Sequence, residues 1–230
     1  MEMHLSRSFH VLSRFFAITL GGKPMLLSHL IGMFTHPDEE WSHIKKEHKN
    51  PLAVYGAYVG VLALISPICA YISTTQFGWQ VGDGPIVKLT PESALPLCVL
   101  TYIAMLVGVF GLGWAIDWMS KTYGSGHDEY FAYGIALTAY SATPLFLAGF
   151  ALLYPEPVFN MAIFLGAMAY AGYLMYDGLP IVLGIEKERA IPFSGAILTV
   201  ALVYLVVTRV GTVIVWNLGW APEFITVVGG

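Results

Sequence analysis

An all-α membrane protein is the fold class the sequence predicts: a bundle of five transmembrane helices, preceded by amphipathic helices lying at the membrane interface. Three observations predict it. Hydrophobic residues make up 57% of the 230-residue chain and charged residues 11%, where a soluble domain carries roughly 25% charged; the mean hydropathy is +0.68. Between Phe131 and Tyr176 the sole charged residue is Glu156, in the turn Pro155-Glu156-Pro157, with a long apolar run on either side. Each run has about the 20 apolar residues that cross roughly 30 Å of hydrocarbon as a helix, the open element whose backbone satisfies itself in lipid. Lastly, lysine and arginine collect in alternate connections, as the positive-inside rule requires.

Residues 1–24 set Arg7, Arg14 and Lys23 around a short apolar run, Phe15 to Leu20. The run is too short for a signal peptide and lacks a small-residue cleavage site. It is read as a surface-lying amphipathic helix with Phe9, Leu12, Phe15 and Phe16 on one face, or else as an extension outside the native protein, with Met25 the start. Residues 25–50 are expected to form interfacial helices on the cytoplasmic side. Thr35 or His36 caps a helix with Pro37, Asp38, Glu39 and Glu40 in its first turn and Lys45, Lys46 and Lys49 in its last, matching the helix dipole. Trp41 and Ile44 share a side and are candidate interfacial contacts of a helix resting on the membrane.

Residues 51–220 form the five-span domain. The first span is Leu52 to Ile72, where Gly56 and Gly60, four apart, are expected to let another span approach closely. A polar loop, Ser73 to Glu92, follows with Trp79 at interface depth. The second span, Leu95 to Met119, ends in Trp114, Asp117 and Trp118. A link from Lys121 to Glu129 leads into the hairpin, whose third span is interrupted by Pro144. That ring removes a hydrogen bond and frees the carbonyl of Tyr140, with Ser141 and Thr143 hydroxyls at hand to satisfy the backbone. The fourth span begins near Asn160, carries small residues from Ala162 to Gly172 suited to helix packing or to pairing with a second copy, and closes in a turn at Asp177. Leu183 to Phe193 is expected to be a polar connection, Ala196 to Trp216 the final span, and residues 221–230 a short external tail.

Arg7, Arg14, Lys23, Lys45, Lys46, Lys49, Lys121, Lys187 and Arg189 fall on one side of this arrangement and Lys88 on the other. The N-terminus is therefore expected in the cytoplasm and the C-terminus outside. Cys69 and Cys98 lie within spans, where a reduced pair is the favoured reading and a disulfide the alternative. The net charge of −4 offers no basic footprint for nucleic acid. The chain has no H-E-x-x-H, C-x-x-C, G-x-S-x-G or phosphate-binding loop, so no catalytic residue and no cofactor are expected. Glu39, His43 and Glu47, with His36 and Glu40 alongside, could face a metal, but a solvated helix face explains the pattern better and no metal site is expected.

Arg209 is the residue that asks for a reason. A guanidinium inside a span costs at least about 2.5 kcal/mol and is usually paired or facing water. It falls roughly 10 Å below Trp216, where Glu156 and Asn160 are the candidate partners. A snorkelling structural arginine is the bland reading; a solute pathway using Arg209, Glu156, Asn160, Thr143, Pro144 and Asp177 is the sharper one. A water-filled cavity reaching Arg209 would favour the second.

The segments Phe34-Thr-His-Pro37-Asp-Glu-Glu-Trp41, Thr74-Thr-Gln-Phe-Gly-Trp79, Ala142-Thr-Pro144-Leu-Phe-Leu-Ala-Gly149 and Tyr173-Leu-Met-Tyr-Asp-Gly-Leu-Pro180 resemble the bacterial Yip (Ypt-interacting protein) domain family, from about Met25 to the last span. The resemblance implies a five-span inner-membrane protein with a cytoplasmic N-terminus, and no catalytic residues. Eukaryotic members associate with small GTPases, but their Asp-Leu-Tyr-Gly-Pro signature is not present here, so that partnership is not carried over. The leading expectation is a non-enzymatic scaffold or adaptor acting on lipid bilayer organisation or on membrane and cytoplasmic proteins. The alternative is a small-solute transporter or channel built on Arg209 and the span broken at Pro144.

Overall fold

A computed structural model describes residues 25–46, 55–80, 82, 84–123 and 130–227. The helix expected within residues 1–24 and Glu47 of the candidate metal face lie outside these. Helices α1 (Met25–Thr35) and α2 (Pro37–Lys46) form a hairpin around His36. The spans follow as α3 (Tyr55–Phe77), α4 (Pro91–Tyr123), and a third in pieces: α5 (Tyr130–Ser141), α6 (Thr143–Ala148) and a 3-10 turn, Gly149–Leu153. Helices α7 (Pro157–Leu183) and α8 (Lys187–Val215) complete the bundle. Five helices among the described residues are long and apolar enough to cross a membrane, as the hydropathy pattern predicts.

The connections differ more. The expected loop after the first span begins with a further helical turn, Ser73–Phe77, where the hydroxyls of Thr74 and Thr75 donate to the carbonyls of Ala70 (2.8 Å) and Tyr71 (2.7 Å). Strand β1 (Ile86–Leu89) then pairs antiparallel with β2 (Phe224–Val227), Leu89 opposite Phe224. The expected free tail is therefore one strand of a ribbon. Its β-branched and aromatic residues suit a pleated pair, and Trp79 packs edge-on against Phe224 with ring centroids 6.1 Å apart. Gly78, at φ 74°, is required at this corner: a Cβ there would lie 2.5 Å from the Val87 carbonyl oxygen.

At the other end of the bundle, the polar connection expected from Leu183 to Phe193 shrinks to Gly184–Glu186. Helix α7 runs straight through Asp177 and Pro180, so Asp177 does not sit in a turn. It stops at Gly184, left-handed at φ 68°, whose N–H donates to the Pro180 carbonyl at 3.0 Å, the usual glycine C-cap. Burial overrides the local charge: Leu179, Val182 and Leu183 before the link and Ala190 and Phe193 after it all sit in the core.

Gly56 and Gly60 do not bring two backbones together. Among the described residues nothing lies within 4 Å of a Cβ at Gly56, and Gly60 faces only the Tyr102 hydroxyl and the Tyr55 carbonyl. The close approaches are elsewhere. A Cβ at Gly134 would stand 2.4 Å from the Gly113 carbonyl oxygen, locking α4 to α5, and one at Gly149 would meet Ser66 of α3 at 2.3 Å. The two cysteines are free, Cys69 buried in the core.

Candidate functional site: a hairpin cap and a crevice in the bundle

The end of the bundle that receives the α1–α2 hairpin is built around Tyr140, next to the break in the third span. The Thr143 hydroxyl donates to the freed Tyr140 carbonyl at 2.6 Å, as expected from the proline, and shares a 2.6 Å hydrogen bond with the Tyr58 hydroxyl. Ser141, the other candidate, is buried and its hydroxyl has no partner among the described residues. Around the Tyr140 ring stand Tyr58, His29 and Trp41, with centroids at 4.6, 5.5 and 6.4 Å.

Trp41 and Ile44 correct the expectation of an in-plane helix. They point into the bundle, 0% and 8% exposed, so they are not available as contacts at the membrane surface. Trp41 fits because α7 has a glycine opposite it: a Cβ on Gly178 would lie 2.7 Å from the indole. The hairpin is fastened by a His29–Glu40 pair, by Lys45 donating to the Ile181 carbonyl at 2.7 Å and by Tyr170 donating to the Met33 carbonyl at 2.9 Å. Asp177 faces Asp38 of α2 across this joint. The physical reason is that an amphipathic stripe of a tryptophan and an isoleucine buries as well against helices as against lipid, and here the helices leave a socket for it.

The structure does not bring Arg209 to Glu156 or Asn160. Glu156 caps α7, its carboxylate accepting from the Phe159 N–H. The Asn160 amide donates to the carbonyls of Tyr154 at 2.7 Å and Glu156 at 2.9 Å. Asp117, nearer the capped end, holds Lys121 at 2.8 Å. Among the described residues Arg209 makes no ion pair or hydrogen bond.

It lines a cavity instead. Helix α8 buries only Ala190, Phe193, Ser194 and Ile197, near its start; beyond them it is held to α4 by Tyr204, which lies over Gly108 and donates to the Ala104 carbonyl. The space between α4, the broken third span, α7 and α8 is a crevice of about 700 Å³, walled by residues such as Leu100, Leu145, Met168 and Leu205, with Arg209 and Trp216 toward the ribbon end. This size lies within the range of ligand pockets. Thr101, Thr138, Thr208 and Thr212 also face it, but each spends its hydroxyl on a carbonyl of its own helix. Among the described residues Ser141 is the lining hydroxyl left unsatisfied, and Arg209 is the only charge in the lining.

The Yip1 domain model matches residues 31–208, from the hairpin cap to the crevice wall beside Arg209. The chain belongs to the Yip1 domain family. It is 40% identical over 194 residues to the inner membrane protein YohC of Escherichia coli K12, covering 84% of this chain and 98% of that protein, and equally so to YohC of Escherichia coli O6:H1 strain CFT073. No solved structure matches the chain significantly. The match takes in α2, most of the aromatic joint and the crevice walls up to Thr208; His29 and Arg209 lie just outside its two ends.

His29, Gly178 and Tyr204 were not legible as site residues, and Glu40 and Tyr140 were visible only in other roles, beside a candidate metal face and as a freed carbonyl. Their roles in the joint depend on which helices meet, which the sequence does not state.

Proposed function

We propose that this protein is a non-enzymatic membrane organiser of the inner membrane that acts on the lipid phase, taking hydrocarbon chains into the crevice between α4, the third span, α7 and α8. The observation that carries this is the apolar lining of a cavity lying among spans. At that depth the available solvent is hydrocarbon or water, and a wall of leucine, methionine and alanine side chains offers water few of the two to four polar partners it needs. The adaptor reading is narrowed, because Trp41 and Ile44 are consumed by the bundle and Asp38 faces Asp177; what α2 leaves outward is Glu39, His43 and Lys46.

Photolabelling tests it. With a lipid carrying a photoreactive group in its acyl chain, crosslinks in proteoliposomes should concentrate on crevice residues Leu145, Met168 and Met175, above the bilayer-facing Val203 and Val206. The Ala201→Trp variant, which fills the crevice, should lose that excess. Equal labelling of both sets overturns the proposal.

A second reading, a small-solute transporter, is favoured by Arg209 and the unpartnered Ser141 hydroxyl lining one cavity beside the Pro144 break. Solute flux in proteoliposomes that vanishes in Arg209→Leu would select it.

A further inference from the structure

We propose that the crevice selects anionic glycerophospholipid from the leaflet at the ribbon end, Arg209 holding the headgroup phosphate while an acyl chain follows the apolar walls inward. This rests on the crevice reading and adds the ligand's charge to it.

Arg209 lies on α8 two turns before Trp216, about 10 Å along the axis, and tryptophan marks the interface. Its head is therefore within snorkelling reach of lipid headgroups. Among the described residues no aspartate or glutamate lines the crevice, and the nearest sequence candidate, Glu156, is engaged at the N-terminus of α7. A cation in a span that has no counter-ion among the described residues needs one from elsewhere, and a phosphate diester takes a guanidinium fork in two parallel charge-assisted hydrogen bonds; in an anionic lipid that phosphate has no cation within its own headgroup to compete with Arg209, whereas in phosphatidylcholine the choline does.

The remainder of the site fits the rest of such a molecule. On α4 the lining runs from Leu97 to Leu112, a length of about 22 Å at 1.5 Å per residue, which suits a chain lying along the helices rather than a compact solute. The lining threonines present methyl groups, since their hydroxyls are turned to their own backbones. A charge at the rim and hydrocarbon below it make an amphiphile's imprint; a free phosphate would satisfy Arg209 and leave the groove unfilled.

The test is native mass spectrometry of the full chain released from nanodiscs of equal parts phosphatidylglycerol and phosphatidylcholine with identical acyl chains. The retained lipid should be enriched in phosphatidylglycerol about fivefold, the ratio one basic residue at a membrane surface supports. Arg209→Gln should bring that ratio to one while lipid is still retained, Arg209→Lys should keep part of it, and inorganic phosphate should not displace the lipid. Retention without preference, or preference surviving in Arg209→Gln, overturns the selectivity and leaves the crevice reading standing. Loss of bound lipid from the unaltered protein overturns the crevice reading itself. Matching elution volume and melting temperature of the variants separates a lost contact from a lost fold.

Discussion

Trp41 and Gly178 form the contact on which the hairpin cap depends, and they make a sharp prediction because each requires the other. The indole is fully buried, so Trp41→Ala should cost roughly 3–5 kcal/mol. Gly178→Ala puts a methyl 2.7 Å from the same ring and 2.8 Å from Leu137, an overpacking worth about 1–3 kcal/mol. The double variant should be more stable than the sum of the two losses implies, since the cavity left by the tryptophan accepts the new methyl, a coupling on the order of 1 kcal/mol for residues in contact. Denaturant titration in micelles reads it; strict additivity would mean that the two side chains do not meet. From the sequence Trp41 was visible as half of an apolar stripe, but a stripe does not say whether lipid or protein covers it. The socket that decided the matter is a glycine 137 positions away.

Among the elements, helix contacts divide according to where backbones approach, and this was the least legible layer. Gly56 and Gly60 have the spacing of a packing motif and face open space or a tyrosine hydroxyl, whereas Gly113 and Gly134, in no motif, touch. Small residues permit close approach, but the partner helix chooses which of them is used. Gly134→Ala should therefore separate α4 from α5 or cost at least about 2 kcal/mol, because the atom it meets is a backbone oxygen that cannot step aside. Gly56→Ala should be neutral or gain up to about 1 kcal/mol from helix propensity. The same titration compares them, and a Gly56→Ala loss as large as that of Gly134→Ala would mean that α3 packs through that face after all. By contrast, the break at Pro144 was readable with its remedy, because a proline's missing hydrogen bond and a neighbouring threonine are local facts: Thr143 reaches the Tyr140 carbonyl.

For the whole molecule, five apolar helices were legible because a span is a matter of composition and length, and both are written in order along the chain. The ribbon β1–β2 was not, since it joins residues 86–89 to 224–227 and such pairing leaves no local trace. Its presence bears on topology. Lys88 and both strands belong to one end, whereas Lys45, Lys46, Lys121, Lys187 and Arg189 lie at or near the hairpin-cap end. The positive-inside rule places the richer end in the cytoplasm, so the ribbon, the turn at Glu156 and the open rim of the crevice near Arg209 are expected in the periplasm. Fluorescent-protein fusions before Met1 should glow and a phosphatase fused after Gly230 should be active; a phosphatase inserted at Gly82, in the connection leading to β1, should be active too. A thiol probe that cannot cross the membrane should reach a cysteine placed at Glu156 from outside and one placed at Glu186 only after lysis. If the two ends of the chain report from one compartment, an odd number of crossings is untenable.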